Sequence, residues 1–405
     1  MKKFIKSLLS QKIINIFFHL PKAILANIYY GFPSRKLTVI GITGTDGKTT
    51  TTNMVYQILK EANKKVSMVS TVNAEIAGKV VDTGFHVTSP DPFMVQRFAK
   101  QALDHGDEYL ILEVTSHALD QFRFWGIKFN IGVITNITHD HLDYHQTWEN
   151  YFQTKAKLIK DIKVAVLNRD EKHFERLVHL THSMSNIISF GFSKTADFNP
   201  IKLPLKIKML GEYNLLNGLA AAAVASELGI DHKIIKQTLE NFSNLSGRMQ
   251  VLKNSRGIKV IVDFAHTPNA LEQALKTLRK ETKGRLISVF GCAGLRDEKK
   301  RPLMGRISTS LADLTVITAE DPRGLLDSIN QQIVAGVNHQ FKENKDYFVV
   351  GDREKAIEFA IRKLARRDDT VGVFGKGHET SMNYDGKTEI PWSDVKVAKK
   401  YLNGH

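Results

Sequence analysis

The stretch TGTDGKTT, residues 43–50, decides how the rest of this sequence is interpreted. An apolar run precedes it at residues 37–42, and a segment of helical character follows at residues 51–62. In such a strand, loop and helix, glycines let backbone N–H groups face an anion, and the helix N-terminus adds partial positive charge. Lys48 is placed to reach terminal phosphates, and the Thr49 hydroxyl can hold Mg²⁺. The stretch therefore predicts a nucleoside triphosphate site.

The spacing of the two glycines is shorter than in the common G-x-x-x-x-G-K-[ST] form of the phosphate loop. A polar turn that merely joins a strand to a helix is the alternative interpretation. The strand before the loop and the helix after it favour phosphate binding. The predicted phosphate contacts are Gly44, Thr45, Gly47, Lys48, Thr49 and Thr50.

Length and composition indicate an ordinary globular protein of two or three domains, with 405 residues, 42% hydrophobic and 24% charged. The formal charge of +15 indicates an acidic partner. Basic residues are spread out rather than clustered with aromatic ones, so nucleic acid is the least favoured partner. Cys292 is the single cysteine, which excludes an internal disulfide and favours a cytoplasmic location.

The N-terminal thirty residues combine lysines with apolar residues. Polar residues interrupt the apolar stretch, so it lacks the ~20 residues needed to cross a bilayer. We expect an amphipathic helix with a basic face, interrupted at Pro21. Its apolar residues recur at helical spacing: Ile5, Leu8, Leu9, Ile13, Ile16 and Phe17. Two interpretations stay open, which are docking on the protein itself and contact with a membrane surface.

Strands and helices alternate along most of the chain, which predicts an α/β fold. The first set of strands is expected at residues 65–70, 109–114, 131–135 and 164–167, followed by a helix at 215–228. A second set is expected at residues 260–262, 286–290, 314–317, 347–350 and 370–374. We therefore predict a short helical segment (1–36), a central P-loop-type domain with a mostly parallel sheet (37–245) and a Rossmann-like C-terminal domain (246–405).

Acidic and imidazole side chains follow the central strands. Glu113 stands near the carboxyl end of its predicted strand, where it could coordinate Mg²⁺ or merely cap the next helix. Three histidines and two aspartates lie within residues 139–145, which favours a second Mg²⁺ or a phosphate over zinc. Lys155, taken alone, would be a solvated surface lysine.

In the second half, glycine and charged residues gather at the predicted strand ends. The clusters lie at residues 247–248, 262–268, 291–297, 320–323 and 375–379. Each could be a tight turn, but together they favour a ligand cleft.

These motifs resemble those of the Mur ligase family in order and spacing, from about residue 37 to the C-terminus. The stretches that carry the resemblance are 43–50, 88–90, 113–119, 140–145, 247–249, 263–268, 296–302 and 375–379. The resemblance implies ATP and Mg²⁺ as cofactors and four catalytic residues, Lys48, Glu113, His141 and Lys155. It implies Thr49, Glu113, His141 and Lys155 as metal ligands, with the lysine carbamylated.

The resemblance also implies the remaining contacts. Asn214 or Asn217 would contact adenine, and Arg248 and Asp263 would reach ATP from the C-terminal domain. The muramoyl-peptide would be held by Thr88, Ser89, Ser116 and Arg123. The incoming amino acid would be held by Arg296, Glu320, Asp321, Arg323, Gly375 and Glu379.

The activity implied is ATP-dependent amide ligation in peptidoglycan synthesis. The D-glutamate carboxylate of UDP-MurNAc-L-Ala-D-Glu would be activated as an acyl phosphate and then attacked by a diamino acid. Family members that add diaminopimelate carry Asp-Asn-Pro-Arg, where this chain has Glu-Asp-Pro-Arg at residues 320–323. A guanidinium suits a carboxylate and repels an ammonium, so Arg323 with Arg296 favours meso-diaminopimelate over L-lysine.

The family has a complete N-terminal domain that grips UDP, and residues 1–36 are too short to match it. The acceptor could therefore be recognised by the central domain, or it could be lipid-linked. The chain could also be a folylpolyglutamate synthase or a non-catalytic nucleotide-binding scaffold. Retention of Lys48, Glu113, His141 and Lys155 disfavours the scaffold. We expect a monomer.

Overall fold

The computed structural model describes residues 11–81, 89–138, 140–243 and 245–403. The chain forms two compact units. The first comprises residues 1–138, 145–208 and 213–242, and the second comprises 139–144, 209–212 and 243–405.

An eight-stranded sheet organises the first unit, in the order β4-β3-β2-β5-β1-β6-β7-β8. Its strands are β1 (Thr38–Thr43), β2 (Val66–Val69), β3 (Ala74–Ile76), β4 (Lys79–Val81), β5 (Tyr109–Glu113), β6 (Phe129–Ile134), β7 (Val164–Asn168) and β8 (Asn186–Phe190). Strand β1 lies between β5 and β6 and is parallel to both. Among the described strands of this sheet, the antiparallel pairs are β2–β3 and β3–β4. The carboxyl ends of β1, β5 and β6 therefore meet at one edge, where open α/β sheets bind ligands.

Helices cover this sheet. The α-helices up to residue 241 are α1 (Gln11–Ile14), α2 (Leu20–Tyr30), α3 (Lys48–Glu61), α4 (Pro92–His105), α5 (Ser116–Asp120), α6 (Leu142–His145), α7 (Trp148–Ala156), α8 (Phe174–Leu180), α9 (Glu212–Glu227) and α10 (His232–Asn241). A π-helical turn occupies Asn15–His19, and 3₁₀ turns occupy Pro33–Lys36 and Lys157–Ile159. Strands β1 and β5 are almost wholly buried, as expected for a parallel sheet covered on both faces.

The second unit has a six-stranded sheet in the order β13-β12-β11-β14-β10-β9. Its strands are β9 (Gln250–Leu252), β10 (Lys259–Asp263), β11 (Leu286–Phe290), β12 (Leu314–Ile317), β13 (Tyr347–Val349) and β14 (Thr370–Phe374), with a separate pair β15 (Ser381–Met382) and β16 (Ile390–Pro391). Only β9 is antiparallel to its neighbour in this sheet. The helices are α11 (Pro268–Glu281), α12 (Lys300–Leu311), α13 (Leu326–Val334), α14 (Arg353–Glu358), a π turn (Phe359–Leu364) and α15 (Asp394–Leu402).

The predicted fold class is confirmed, since both units are α/β with mostly parallel sheets. Strands β11, β12 and β14 coincide with their predicted bounds. Helix α3 begins at Lys48, earlier than predicted, because Gly47 in a left-handed conformation starts the helix directly after the loop. The sequence analysis did not predict β3, β4, β8, β9, β15 or β16. The first two are short, and β4 is largely exposed at the sheet margin.

The prediction that Pro21 interrupts the N-terminal helix is wrong. Pro21 lies in the first turn of α2, where a missing N–H costs nothing. The preceding π turn, in which Leu20 donates its N–H to the Asn15 carbonyl, widens the helix just before the proline ring. The helical path therefore continues through Pro21. No helix in the part of the chain that the structure describes is long and apolar enough to span a membrane.

Candidate active site

The phosphate loop follows β1, and its glycines have conformations that side chains rarely adopt. Gly44 has φ +156° and Gly47 has φ +84°. A Cβ on Gly44 would lie 1.8 Å from Thr135 Oγ1, and one on Gly47 would lie 2.3 Å from Asn217 Oδ1. Both positions therefore require glycine, because backbone angle and space each exclude a side chain.

Neighbouring side chains hold the loop. The Asn136 Oδ1 accepts hydrogen bonds from the N–H groups of Thr45 (3.1 Å) and Asp46 (2.9 Å). The Thr45 hydroxyl lies 3.0 Å from the Tyr151 hydroxyl. Lys48 folds back over the loop and donates to the carbonyls of Gly44 (3.0 Å) and Thr45 (2.8 Å). The loop is thus preformed, with an ammonium group on it.

Glu113 ends β5 beside the loop and is 2% exposed. Its Oε1 accepts from the hydroxyls of Thr49 (3.0 Å) and Thr71 (2.8 Å), and its Oε2 accepts from the Thr71 N–H (2.8 Å). These neutral donors orient the carboxylate without neutralising it. A threonine hydroxyl and a carboxylate next to a phosphate loop are the hard oxygen ligands that Mg²⁺ takes, so this pair fits that ion.

Lys155 is buried on α7, so its interpretation as a surface lysine is wrong. Its side chain is 1% exposed. Its Nζ donates to the Gly44 carbonyl at 2.5 Å and lies 4.7 Å from the Tyr151 ring centre. The sequence misled here because α7 turns this face toward the phosphate loop, which helical periodicity alone does not reveal.

The two asparagines proposed for adenine lie together on α9. Asn217 Nδ2 donates to Asn214 Oδ1 at 3.1 Å. The Thr51 hydroxyl donates to Asn217 Oδ1 at 3.4 Å, and Asn217 also limits the space at Gly47. Thr50 is buried in the first turn of α3. Asn217 therefore contacts the phosphate loop, and Asn214 contacts Asn217.

Three of the four residues predicted for the muramoyl-peptide are described, and Thr88 lies outside the described residues. Arg123 Nη1 donates to the Ser89 carbonyl at 2.6 Å. The Ser89 hydroxyl donates to the Glu113 carbonyl at 3.2 Å. Ser116 Oγ lies 3.0 Å from His145 Nε2. Ser89 and Arg123 are therefore adjacent to the end of β5.

The described side chains of residues 140–145 have different partners. His145 is buried against Ser116. His141 belongs to the second unit, where its Nε2 lies 3.3 Å from Asp140. Asp143 is exposed. Among the described residues, no group of three or more His, Cys, Asp or Glu side chains could hold a metal ion. The second Mg²⁺ or phosphate that the sequence favours at residues 139–145 stays a prediction.

In the second unit, Asp263 and Arg248 stand near the end of β10. Asp263 accepts from the N–H groups of Met249 (2.7 Å) and Ala265 (2.9 Å). Burial raises the pKa of Asp263, and the nearby Arg248 opposes that rise. The Arg248 guanidinium lies 4.5 Å from the Phe264 ring centre.

Asp321 and Arg323 follow β12 and are held by other charges. Asp321 accepts from Lys376 Nζ (3.0 Å) and from the Asn383 N–H (2.9 Å). Lys376 also pairs with Glu379. Burial alone would lower the pKa of Lys376, but Glu379 and Asp321 outweigh it and raise the pKa. Asp321, which stands where the family has asparagine, therefore shares the Lys376 ammonium with Glu379.

The Arg323 guanidinium donates to the Gly294 carbonyl at 3.1 Å, and its Nη2 lies 3.8 Å from Asp321. Arg296, the second predicted arginine, is exposed. Arg323 is therefore held against the chain that follows β11 and β12, and Arg296 is open to solvent.

Glu320 is the most perturbed carboxyl of this edge. Burial raises its pKa to about 7, against the opposing effect of Lys300 and Arg353. Its Oε2 is buried without a hydrogen-bond partner among the described residues, and a Cβ on Gly375 would lie 2.7 Å from it. An acceptor that lacks a partner in a charged, glycine-lined recess is suited to a ligand N–H.

The sequence analysis missed several residues that shape the two strand edges. They are Asn136, Tyr151, Lys300 and Lys376, all contacting predicted site residues or their backbone. Asn136 could have been found, because it directly follows the strand neighbouring β1. Lys376 lies in the predicted cluster 375–379, but nothing local indicates that Lys300 and Lys376 are buried, since a lysine on a helix or loop usually faces solvent.

Comparison with known proteins agrees with these features. The Mur ligase middle domain matches residues 42–225, and the Mur ligase glutamate ligase domain matches residues 247–377. A Clostridium tetani protein named UDP-N-acetylmuramoyl-L-alanyl-D-glutamate--2,6-diaminopimelate ligase is 39% identical over 94% of this chain and 80% of its own length. A protein of that name from Aquifex aeolicus is 37% identical over the same shares.

A solved structure with the same title superposes with a TM-score of 0.59 at 28% identity. The superposition covers 90% of this chain and 78% of the other. A parallel α/β sheet that ends in a lysine-bearing phosphate loop defines a nucleotide-binding class of protein. Within that class, the chain belongs to the Mur ligase family and is a ligase.

Proposed function

We propose that this chain joins meso-diaminopimelate to the D-glutamate carboxylate of UDP-MurNAc-L-Ala-D-Glu in peptidoglycan synthesis, with hydrolysis of ATP to ADP and phosphate. The observation that supports it best is the preformed loop at the end of β1, with Lys48 on it and the Thr49–Glu113 pair beside it. The names of the relatives give the substrates.

The chemistry explains why a phosphate loop is needed. A carboxylate does not acylate an amine at neutral pH, so one of its oxygens attacks the γ-phosphorus and ADP leaves. The amine nitrogen then attacks the acyl carbon. The bond from that carbon to the bridging oxygen breaks, so phosphate leaves, and the nitrogen loses a proton. Lys48 and the loop N–H groups offset the negative charge that develops on the phosphoryl oxygens.

Mg²⁺ would be held by the Thr49 hydroxyl and the Glu113 carboxylate, and it would neutralise phosphate charge. Thr71 keeps the carboxylate oriented through two hydrogen bonds. His141 remains a predicted ligand. On α9, Asn217 fits a position next to the nucleotide, because it contacts the loop helix at Thr51.

Lys155 is proposed to act as a carbamate. Its burial beside Gly44 places a nitrogen next to the loop, and carboxylation would turn that cation into an anion able to hold a metal. The test is incubation with ¹³C-bicarbonate followed by NMR. A carbamate resonance is expected in the unaltered chain and not in Lys155→Gln. If the carbamate resonance is absent from both the unaltered chain and Lys155→Gln, or present in both, Lys155 is not the carbamylated residue.

Selection of the amine is assigned to the edge after β11 and β12. Arg323 and Arg296 would face the distal carboxylate, and Glu320, with its unpartnered Oε2, would accept from an amino group. The Asp321 carboxylate already accepts from the Lys376 ammonium, so a cation of the chain itself occupies the position at which it could favour the ammonium of lysine.

The deciding experiment measures phosphate release from ATP with UDP-MurNAc-L-Ala-D-Glu as acceptor and either meso-diaminopimelate or L-lysine as amine. Release is expected with diaminopimelate and at least roughly tenfold less with lysine, because lysine lacks the distal carboxylate. Lys48→Ala should abolish release, whereas Lys400→Ala, an exposed lysine paired with Glu354, should not. No release with either amine would contradict the proposal. Light scattering during turnover would test the proposed monomer.

A further inference from the structure

The N-terminal helical segment, residues 11–30, is packed in an unusual orientation. Its buried positions are small or polar, namely Asn15, Ala23, Ala26 and Asn27. Seven of its large apolar side chains are exposed, whereas Ile14, Leu20, Ile24 and Tyr30 are half-buried. We call the seven the outward face: Ile13, Ile16, Phe17, Phe18, Leu25, Ile28 and Tyr29. A surface helix normally shows the opposite arrangement, with its large apolar residues against the core.

Specific contacts fix this orientation. Asn27 Nδ2 donates to the Trp125 carbonyl at 2.6 Å, and Asn15 Nδ2 donates to Asp120 Oδ2 at 2.6 Å. Gly126 leaves no room for a side chain, since a Cβ there would lie 2.4 Å from Asn27 Oδ1. The polar side of the helix is thus locked to the body of the first unit, and the apolar side cannot rotate inward.

The outward face has two groups of the same spacing. Ile13, Ile16 and Phe17 follow the i, i+3, i+4 pattern, and Leu25, Ile28 and Tyr29 repeat it. The π turn at Asn15–His19 carries Ile16 and Phe17 of the first group. Phe17 is 77% exposed, Ile28 63% and Tyr29 75%. Contiguous exposed apolar patches of this kind mark interaction sites.

The charge of the surrounding sequence identifies the partner's chemistry. The first acidic residue of the chain is Asp46. Before it stand seven basic residues, Lys2, Lys3, Lys6, Lys12, Lys22, Arg35 and Lys36. An apolar helix face with aromatic residues, within a segment that carries only positive charge, suits the boundary between headgroups and acyl chains of an anionic bilayer.

We propose that the outward face docks this chain on the surface of an anionic lipid bilayer, with the helix lying in the interface rather than crossing it. A second copy of the chain is less suited to this face, because two such segments would bring like charges together. Docking is independent of the proposed ligase activity, since it uses no residue of the phosphate loop or of the amino-acid site.

Vesicle flotation of the full chain, without ATP or substrates, tests the proposal. The probes are phosphatidylcholine vesicles and vesicles of equal parts phosphatidylcholine and phosphatidylglycerol. Binding is expected to the anionic vesicles, weakly or not at all to the neutral ones, and to weaken as salt is raised. The variant Phe17→Ser/Leu25→Ser/Ile28→Ser should bind roughly tenfold or more weakly, because it loses three large apolar groups.

The matched control is Met184→Ser/Ile201→Ser, which removes exposed apolar side chains (86% and 69% exposed) far along the sequence from the N-terminal segment. It should bind like the unaltered chain. Phe17→Ser alone serves as a second variant if the triple variant unfolds, which circular dichroism would show. The proposal is overturned if the unaltered chain binds neither vesicle, if it binds both equally, or if both variants keep full binding. Self-association lost in the triple variant, without vesicle binding, would assign the face to a second copy instead.

Discussion

The carboxylates near the strand ends of the two sheets have different kinds of partner. In the first unit, Glu113 accepts hydrogen bonds from the neutral groups of Thr49 and Thr71. In the second unit, Asp321 is paired with Lys376, and Asp394 with Arg353. A carboxylate held by neutral donors keeps its charge for a ligand cation, whereas one paired with a cation has that charge neutralised. Neutral groups therefore hold the Glu113 carboxylate at the first edge, whereas cations hold the carboxylates of Asp321 and Asp394 in the second unit.

The largest effect is expected from Arg353→Met, which removes the cation of a buried ion pair in the second unit. Arg353 is wholly buried and donates to Asp394 through Nε (2.8 Å) and Nη2 (2.7 Å). Its loss leaves a buried, uncompensated carboxylate, which should cost about 3 to 5 kcal/mol of unfolding free energy. Guanidinium unfolding followed by circular dichroism measures it.

Arg279→Met is the matched control, because the Arg279–Asp313 pair is solvent-accessible. It should cost below about 1 kcal/mol. Equal losses in the two variants would contradict the structural role of the buried pair.

Glu113→Gln tests the first edge. The amide oxygen can still accept from the hydroxyls of Thr49 and Thr71, but the charge is gone and the amide NH2 cannot accept from the Thr71 N–H as Oε2 does. We expect kcat to fall roughly a hundredfold and its Mg²⁺ dependence to weaken, with a smaller fall in stability, about 1 kcal/mol or more, from the lost hydrogen bond. Asp197→Asn is the control, since Asp197 similarly accepts from the N–H and hydroxyl of one residue, Ser189. Full activity of Glu113→Gln would mean that catalysis needs the hydrogen bonds of this side chain and not its charge.

Glu320 allows a pH test of the second edge. Burial raises its folded-state pKa from 4.5 to about 7. Between these values the unfolded chain has released the proton and the folded chain still holds it, so this carboxyl lowers stability as pH rises. Glu320→Gln cannot ionise, and relative to the unaltered chain it should gain about 1 to 3 kcal/mol between pH 4.5 and pH 8. Urea unfolding at both pH values measures the difference, and a constant difference would refute the raised pKa.

Tyr151→Phe should have the smallest effect. Its hydroxyl lies 3.0 Å from the buried Thr45 hydroxyl, a neutral contact worth about 1 kcal/mol. We expect a few-fold higher KM for ATP and little change in kcat, because the loop loses support but no charge. A large fall in kcat would give Tyr151 a more direct role than the geometry implies.

The strands of both units could be predicted because buried parallel strands are continuous apolar runs, as in β11 and β14. The phosphate loop was also recoverable, since its chemistry is local. The partner of His145 was not, because Ser116 lies 29 residues away in sequence. The burial of Lys155 was not either, since a residue that looks solvated is buried by the packing of α7.

The sequence by itself determined the α/β class, the loop that binds phosphate and the family, because hydrophobic periodicity and short glycine motifs act over a few residues. The tertiary structure alone decided which charges neutralise one another. Lys376 meets Asp321 across 55 residues of chain, and Thr49 meets Glu113 across 64. It also decided that the N-terminal helix buries asparagine and alanine and exposes phenylalanine. Such pairings depend on how strands and helices are brought together in space, and no local pattern encodes them.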